Sequence, residues 1–447
     1  MPNGLFLQAP VAVKMLNRLK IALNRLLPQD SFVRKVGILA SGTTASQAIN
    51  VLSLPLLTRL YAPADYGVLA IYVAIVSIVA VVACLKLEIA IPLPEKEQDA
   101  AHLLVLALLG AAAFGLMALL LVIAVPAHII RLVGVPALEP YLWLVPLGIW
   151  ITASYVTMQY WATRKHQFGA IARTRLTQAV SGTGVQLLGG VGGIGSVGLL
   201  LGQIIKNSAG IGSLARQAWI HDKDAFKAVN RQDLVRVFKA YKRFPKYVTL
   251  DSFANVAGIQ IPILLIATYV GDKESGFLIL AMQAMSIPIS LLGSSIAQVY
   301  LAHAPEYLRR GDLPEFTARS VAGLIKVGVL PLVLAGAVGP ALFPLVFGSD
   351  WGRAGELLAW MTPWFILQFI TSPVSMVLHV KNQQKVALML QLFGCATRVG
   401  SVLLAGWFGF KHIVEVYALS GMVFYAIYFL VVKRIAGYST RMLYPGK

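Results

Sequence analysis

The chain of 447 residues is 57% hydrophobic and only 13% charged, with a mean hydropathy of +0.73. Soluble domains average about 25% charged and about 45–50% apolar residues, so a soluble globule is excluded. The 38 Lys and Arg against 19 Asp and Glu leave a formal charge of +19. These cations sit in short loops with no basic domain, zinc pattern or aromatic platform, which suits anionic membrane lipids and not nucleic acid.

The N-terminal stretch lacks the compact apolar core and small-residue cleavage site of a signal peptide. Residues 11–27 fit an amphipathic helix, with Leu16, Leu19, Leu23, Leu26 and Leu27 on one face and Lys14, Arg18 and Arg25 opposite. Such a helix lies in the headgroup plane; a basic leader without fixed structure is the alternative. After it, charge-free apolar runs predict twelve spans, near 36–58, 67–85, 103–125, 141–163, 174–193, 196–217, 248–270, 277–299, 322–347, 355–379, 385–409 and 412–432. One helix needs about 20 apolar residues. The run from Leu176 to Ile205 is too long for one, and the glycine cluster Gly189 to Gly195 predicts a hairpin within it.

With the N-terminus inside, thirty of the 38 Lys and Arg fall in inner segments, five in outer ones (Arg59, Arg131, Lys273, Arg353 and Lys411) and three within spans. Cations collect in cytoplasmic loops, so both termini are expected on that side. The basic inner connection 218–247 divides the spans six and six. The expected organisation is an N-terminal segment 1–35, a first lobe 36–217, the linker 218–247, a second lobe 248–432 and a tail 433–447. A faint repeat supports two like-oriented halves: an offset of 209 superposes Asp65 on Glu274, Gly67 on Gly276, and Ser77-Ile78 on Ser286-Ile287. Parallel repeats about an axis along the membrane normal are a transporter trait.

Motifs for other chemistry fail on inspection. Gly193-Ile194-Gly195-Ser196-Val197-Gly198 fits G-x-G-x-x-G literally, but no strand precedes it and the glycines close a membrane hairpin. There is no H-E-x-x-H, G-x-S-x-G or P-loop. Cys84 and Cys395, the two cysteines, lie in apolar runs and supply no disulfide framework or metal site. No cofactor is expected. The short outer loops leave little room for a glycosyltransferase or polymerase active site, so an enzyme is not expected.

Ionisable groups within spans carry more information, because charge in the bilayer costs several kcal/mol without a cavity or partner. Lys206 sits about ten residues into the sixth span, roughly 15 Å deep, with Gln203 and Asn207 on its face. Arg398 lies mid-span in the eleventh helix with Gln391 one heptad before it. Asp251 enters the seventh span with Asn255 one turn on. Lys326 lies nearer the inner boundary, where snorkelling competes with a cavity role. Polar residues also recur at helical spacing, Gln47 with Asn50 and Gln283 with Ser286 and Ser290; helix-to-helix hydrogen bonding uses the same residue types. Two cations with few buried carboxylates predict a net-positive cavity suited to a phosphate or pyrophosphate head.

Several stretches carry a family resemblance. LSLPLLTRLYAPADYGVLAIY (Leu52 to Tyr72), LKLEIAIPLPEKEQDA (Leu85 to Ala100), KRFPKY (Lys242 to Tyr247) and FGSDWGRAGELL (Phe347 to Leu358) resemble, in order and spacing, bacterial oligosaccharide flippases. These belong to the polysaccharide-transport branch of the multidrug/oligosaccharidyl-lipid/polysaccharide (MOP) superfamily. The resemblance implies an all-α integral membrane fold, similar to that of multidrug (MATE) transporters, with about 12 transmembrane helices in two six-helix lobes around a central cavity. It implies flipping of undecaprenyl-pyrophosphate-linked oligosaccharide repeat units across the bacterial inner membrane by alternating access, for surface polysaccharide such as O-antigen lipopolysaccharide, capsule or exopolysaccharide. The polymerase and chain-length machinery would be partners, and a proton or sodium gradient the drive. Lipid II flippases of the superfamily typically carry two further helices, which are not found here. A multidrug or cation antiporter of the same superfamily is the rival reading, and it would need buried carboxylates, for which Asp251, Glu356 and Glu415 are the candidates.

Overall fold

The computed structural model describes residues 31–124, 136–289, 294–381 and 383–438; the predicted amphipathic helix at 11–27 and most of the tail lie outside them. Every regular element among the described residues is helical. The first half holds α1 (Ser31–Leu60), α2 (Pro63–Ala83), α3 (Glu97–Ala124), α4 (Leu144–Arg164), α5 (Phe168–Val191) and α6 (Ser196–Ser208). The connection to the second half holds α7 (Ile211–His221), α8 (Lys223–Lys227) and α9 (Arg231–Ala240). The second half holds α10 (Thr249–Tyr269), α11 (Asp272–Pro288), α12 (Ser294–Arg310), α13 (Leu313–Leu324), α14 (Leu330–Phe347), α15 (Gly352–Val374), α16 (Val377–Val380), α17 (Gln384–Trp407) and α18 (Ile413–Ala436).

Among the described residues, seven stretches are long and apolar enough to cross a membrane: α2, α3, 244–269, 313–347, 349–374, α17 and α18. They match the predicted spans 2, 3, 7 and 9 to 12, and the chain is a multi-pass membrane protein. The stretches for spans 1, 4 and 5 have spanning length, at 30, 21 and 24 residues, but are more polar because they carry Gln47 and Asn50, Thr152 and Gln159, and Arg175 and Gln186 in turn. Spans 6 and 8 differ from expectation. The sixth ends at Ser208 and α7 resumes beyond Gly210, whose φ of +97° no other residue adopts cheaply. The eighth begins at Asp272, five residues before the predicted 277, as α11 to Pro288, and α12 runs from Ser294 to Arg310. The ninth starts at Leu313 and passes through a π turn at Ile325–Val329. Pro331 lacks the N–H that would close the last α turn there, a usual cause of such a bulge. Lys326 lies in that turn and is exposed, which fits snorkelling.

The predicted hairpin between spans 5 and 6 is present. Val191 ends α5, Ser196 starts α6, and Gly193 and Gly195 turn the chain at φ of +66° and +56°. The two helices then run in close backbone contact, since a Cβ on Gly189 would lie 2.7 Å from the Gly198 Cα and one on Gly202 2.8 Å from the Gly182 carbonyl oxygen. Small residues permit such packing where lipid provides no hydrophobic drive between helices.

The two halves share one packing scheme. In the first, α5 packs on α1 and α6, and α4 on α2, α3 and α6; in the second, α17 packs on α10 and α18, and α15 on α11, α14 and α18. Each pair maps onto its counterpart six spans later. The lobes meet mainly where α2 lies along α10 and α11, while α1 touches α11 only sparsely. Gly67 and Gly276, the residues superposed by the internal repeat, face each other there: a Cβ on Gly67 would overlap the Asp272 carbonyl and one on Gly276 the Pro63 carbonyl. Trp351 closes the same end, donating from Nε1 to the Thr58 carbonyl at 2.9 Å and meeting Tyr66 edge-on at 5.0 Å. At the opposite end the linker folds onto the first lobe. The buried Asp222 accepts from Trp161 Nε1 at 2.9 Å and pairs with Lys165 at 2.7 Å, and Arg236 reaches Asp99 at 2.7 Å. Lys165 also bonds Glu97; burial pulls its pKa down, but the bonds to Asp222 and Glu97 outweigh that and leave it raised.

Candidate functional site

Between the lobes lie two adjoining chambers of about 150 and 270 Å³, with Gln283 and Ser286 of α11 lining both. The first-lobe chamber is walled by α1, α2, α5 and α6. Lys206, in the last turn of α6, donates from Nζ to the Asn50 side-chain oxygen of α1 at 2.9 Å. The helix break at Gly210 leaves Lys206 in the last turn of α6, the end at which the helix dipole favours a cation. Gln47, Asn50, Gln186 and Gln203 complete the polar wall. Gln203 also bonds Asn207 at 3.4 Å, and Asn207 in turn donates to Thr152 of α4 at 3.0 Å.

The second-lobe chamber is built around Arg398, which is only 2% exposed. Its Nε donates to the Gly394 carbonyl one turn earlier at 2.8 Å, and the guanidinium lies 4.8 Å from the Phe424 ring centroid. A cation over an aromatic face gains about 0.5–2 kcal/mol. Gly258 makes the space, since a Cβ there would come 2.8 Å from Nη2. No ion pair involves Lys206 or Arg398 among the described residues, and neither chamber lining contains a carboxylate. The lining is cationic and otherwise neutral.

Of the ten residues expected at the site, Gln47, Asn50, Gln203, Lys206, Gln283 and Arg398 line the chambers. Asn207 supports the wall from behind through Thr152. Gln391, Asp251 and Asn255 are not among the lining residues; Asn255 is exposed, and Gln391 and Asp251 are half-buried elsewhere. Tyr66 and Trp364 escaped sequence reasoning. Both line a chamber, and the Tyr66 hydroxyl and Trp364 Nε1 are buried without a hydrogen-bond partner. An aromatic in an apolar helix reads as packing, and only the orphaned donor distinguishes it.

Two of the three carboxylates considered for a cation site, Glu356 and Glu415, are held by an arginine. Arg353, next to Trp351, pairs with Glu415 at 2.6 Å, Glu356 at 3.0 Å and Glu274 at 3.3 Å. They form an ion-pair knot at the sealed end of the second lobe.

The fold is that of solved MOP-superfamily transporters. The chain matches the structure of the lipid II flippase MurJ in an inward closed conformation with a TM-score of 0.70 at 13% identity, over 91% of this chain and 88% of that one. It also matches a MATE transporter in complex with MaL6, with a TM-score of 0.58 at 14% identity over 90% and 96%. A third match is an inward-facing MATE family multidrug transporter, at 0.56 and 12% over 89% and 94%. Comparison with curated protein sequences yields no match. Residues 56–355 match the family described as polysaccharide biosynthesis protein, and the chain belongs to that family.

Proposed function

We propose that the protein flips polyprenyl-pyrophosphate-linked oligosaccharide repeat units from the inner to the outer leaflet of the bacterial inner membrane, with both termini cytoplasmic, in surface polysaccharide assembly. The observation that carries this is the carboxylate-free cavity with one cation from each lobe, Lys206 and Arg398. A pyrophosphate head carries charge that Arg can engage through two parallel hydrogen bonds and Lys as a point charge. The chambers are smaller than the roughly 300–1,000 Å³ of a drug-sized ligand site, so an oligosaccharide enters only when the lobes part. The sparse α1–α11 seam, against the close α2–α10 seam, is the side on which a lipid tail can remain in the bilayer while the head occupies the cavity. Cation antiport is disfavoured because Glu356 and Glu415 are engaged by Arg353 and line neither chamber.

Deleting the protein should leave lipid-linked repeat units facing the cytoplasm and deplete surface polysaccharide. Normal surface polysaccharide in a strain with no second flippase would contradict the proposal.

A further inference from the structure

A third cavity, of about 220 Å³, lies inside the first lobe between the linker-proximal end of α2 and α4. Glu88 lines it. Its side chain is 4% exposed, one oxygen pairs with Lys86 at 3.4 Å, and Oε2 is buried without a partner. An orphaned carboxylate oxygen in a site of low dielectric is costly, and carboxylates so placed take a proton readily. The backbone is strained at the same place: Leu85 and Lys86 hold φ of +52° and +55°, the left-handed region that costs an ordinary residue about 1–2 kcal/mol. This turn directs the chain after α2 back so that Glu88 is enclosed.

A hydrogen-bonded chain leads from the α4 wall of this cavity to the central site. Thr152, which lines it, accepts from Asn207 at 3.0 Å; Asn207 accepts from Gln203 at 3.4 Å; and Gln203 and Lys206 line the first-lobe chamber. We propose that Glu88 is a proton-binding site whose charge state is transmitted through Thr152, Asn207 and Gln203 to the Lys206 chamber. The step balances as transfer of one proton from hydronium to the Glu88 carboxylate, releasing water and freeing the Lys86 ammonium from its ion pair. A metal cation is a poor occupant because that ammonium sits 3.4 Å from the carboxylate.

The charged and titratable surroundings agree with a proton site. Lys86 and Cys84 come from the same turn, and Tyr160 on α4 is electrostatically coupled to Glu88. Arg164 at the end of α4 is occupied by the Ile91 and Pro94 carbonyls at 3.2 and 2.7 Å. The turn 87–90 also packs on α3, whose first turns hold Glu97, Asp99 and His102, and on the segment 244–248, which holds Lys246 and Tyr247. Burial is the largest influence on Glu88 and raises its pKa despite the opposing pull of Lys86.

The role in coupling rests on the flippase proposal, but the proton site does not. Infrared titration of the purified full-length protein in lipid nanodiscs reads the protonated-carboxyl stretch directly. The wild type should show a band that persists above the ordinary Glu value of about 4.3. Glu88→Gln should lose it, Lys86→Gln should extend it to higher pH, and Asp251→Asn should leave it in place. A band unchanged in Glu88→Gln, or no such band in the wild type, overturns the site. Binding of a polyprenyl pyrophosphate to the same samples should depend on pH in the wild type and not in Glu88→Gln. The Glu88 band with pH-independent binding overturns the coupling alone, and the Glu88 band with no binding at any pH overturns the cargo and leaves the proton site standing.

Discussion

The two lobes share a packing scheme and differ in where they keep their charges. In the second lobe the charges are tied down: Arg353 gathers three carboxylates at the sealed end, and Arg398 is held mid-helix by its own turn and by Phe424. In the first lobe they are less committed. Lys206 stands at a helix break with a neutral partner, and the cation beside Glu88 is Lys86 of its own turn, at 3.4 Å. A fixed guanidinium suits constant recognition of an anionic head. The Glu88 and Lys206 pair suits a response to conditions. One repeat unit has thus become an anchor and the other an adjustable wall.

The contrast can be broken most severely at Arg398. Arg398→Ala should weaken polyprenyl-pyrophosphate binding by about ten- to a hundredfold, the scale of a charge-assisted hydrogen bond at about 1.5–3 kcal/mol. Arg398→Lys should recover only part, because the planar fork is lost. Isothermal titration on protein that inserts normally checks both, and full complementation by Arg398→Ala would remove it from the site. Next comes the seam the repeats share. Gly67→Val puts side-chain carbon where the Asp272 carbonyl lies, and overpacking of this kind costs about 1–3 kcal/mol. In a background lacking Cys84 and Cys395, a cysteine at Leu69 should then be labelled faster by an impermeant thiol reagent; unchanged labelling would mean the seam tolerates the side chain.

Smaller effects follow. Lys206→Met should reduce binding less than Arg398→Ala, by about tenfold, the low end of the roughly 1.5–3 kcal/mol of a charge-assisted hydrogen bond, because an ammonium lacks the two-pronged fork; an equal loss would erase the distinction between the lobes. The smallest is a slope. The raised Glu88 pKa means the unfolded state binds fewer protons than the folded one just above the ordinary carboxylate range. The Glu88 contribution therefore favours folding less as pH rises from about 4.3 through the folded-state pKa. Thermal unfolding should show this decline in the wild type and not in Glu88→Gln.

Much of the scaffold could be read from residue order because bilayer physics is blunt: charge-free runs mark spans, Gly189 to Gly195 marks a hairpin, and a 209-residue offset picks out two glycines that touch. Depth in a span likewise singled out Lys206 and Arg398. The misses share a cause. Lipid and protein interior are both apolar, so periodicity does not reveal which face of α10 or α17 looks inward, and spacing alone puts Asp251, Asn255 and Gln391 at chambers whose linings do not include them. The break at Gly210 lies in Ser208-Ala209-Gly210-Ile211-Gly212, where a small-residue run fits a continuing span as well as a turn. Trp351 joins residues almost 300 positions apart, a contact that no local pattern encodes.

The most direct test of the cationic cavity compares two lipids that differ only in the head. Purified wild-type protein should bind a polyprenyl pyrophosphate well above the matching polyprenol, and a Lys206→Met, Arg398→Ala double variant should lose that preference. Equal binding of both lipids by the wild type, or an undiminished preference in the double variant, would contradict the account.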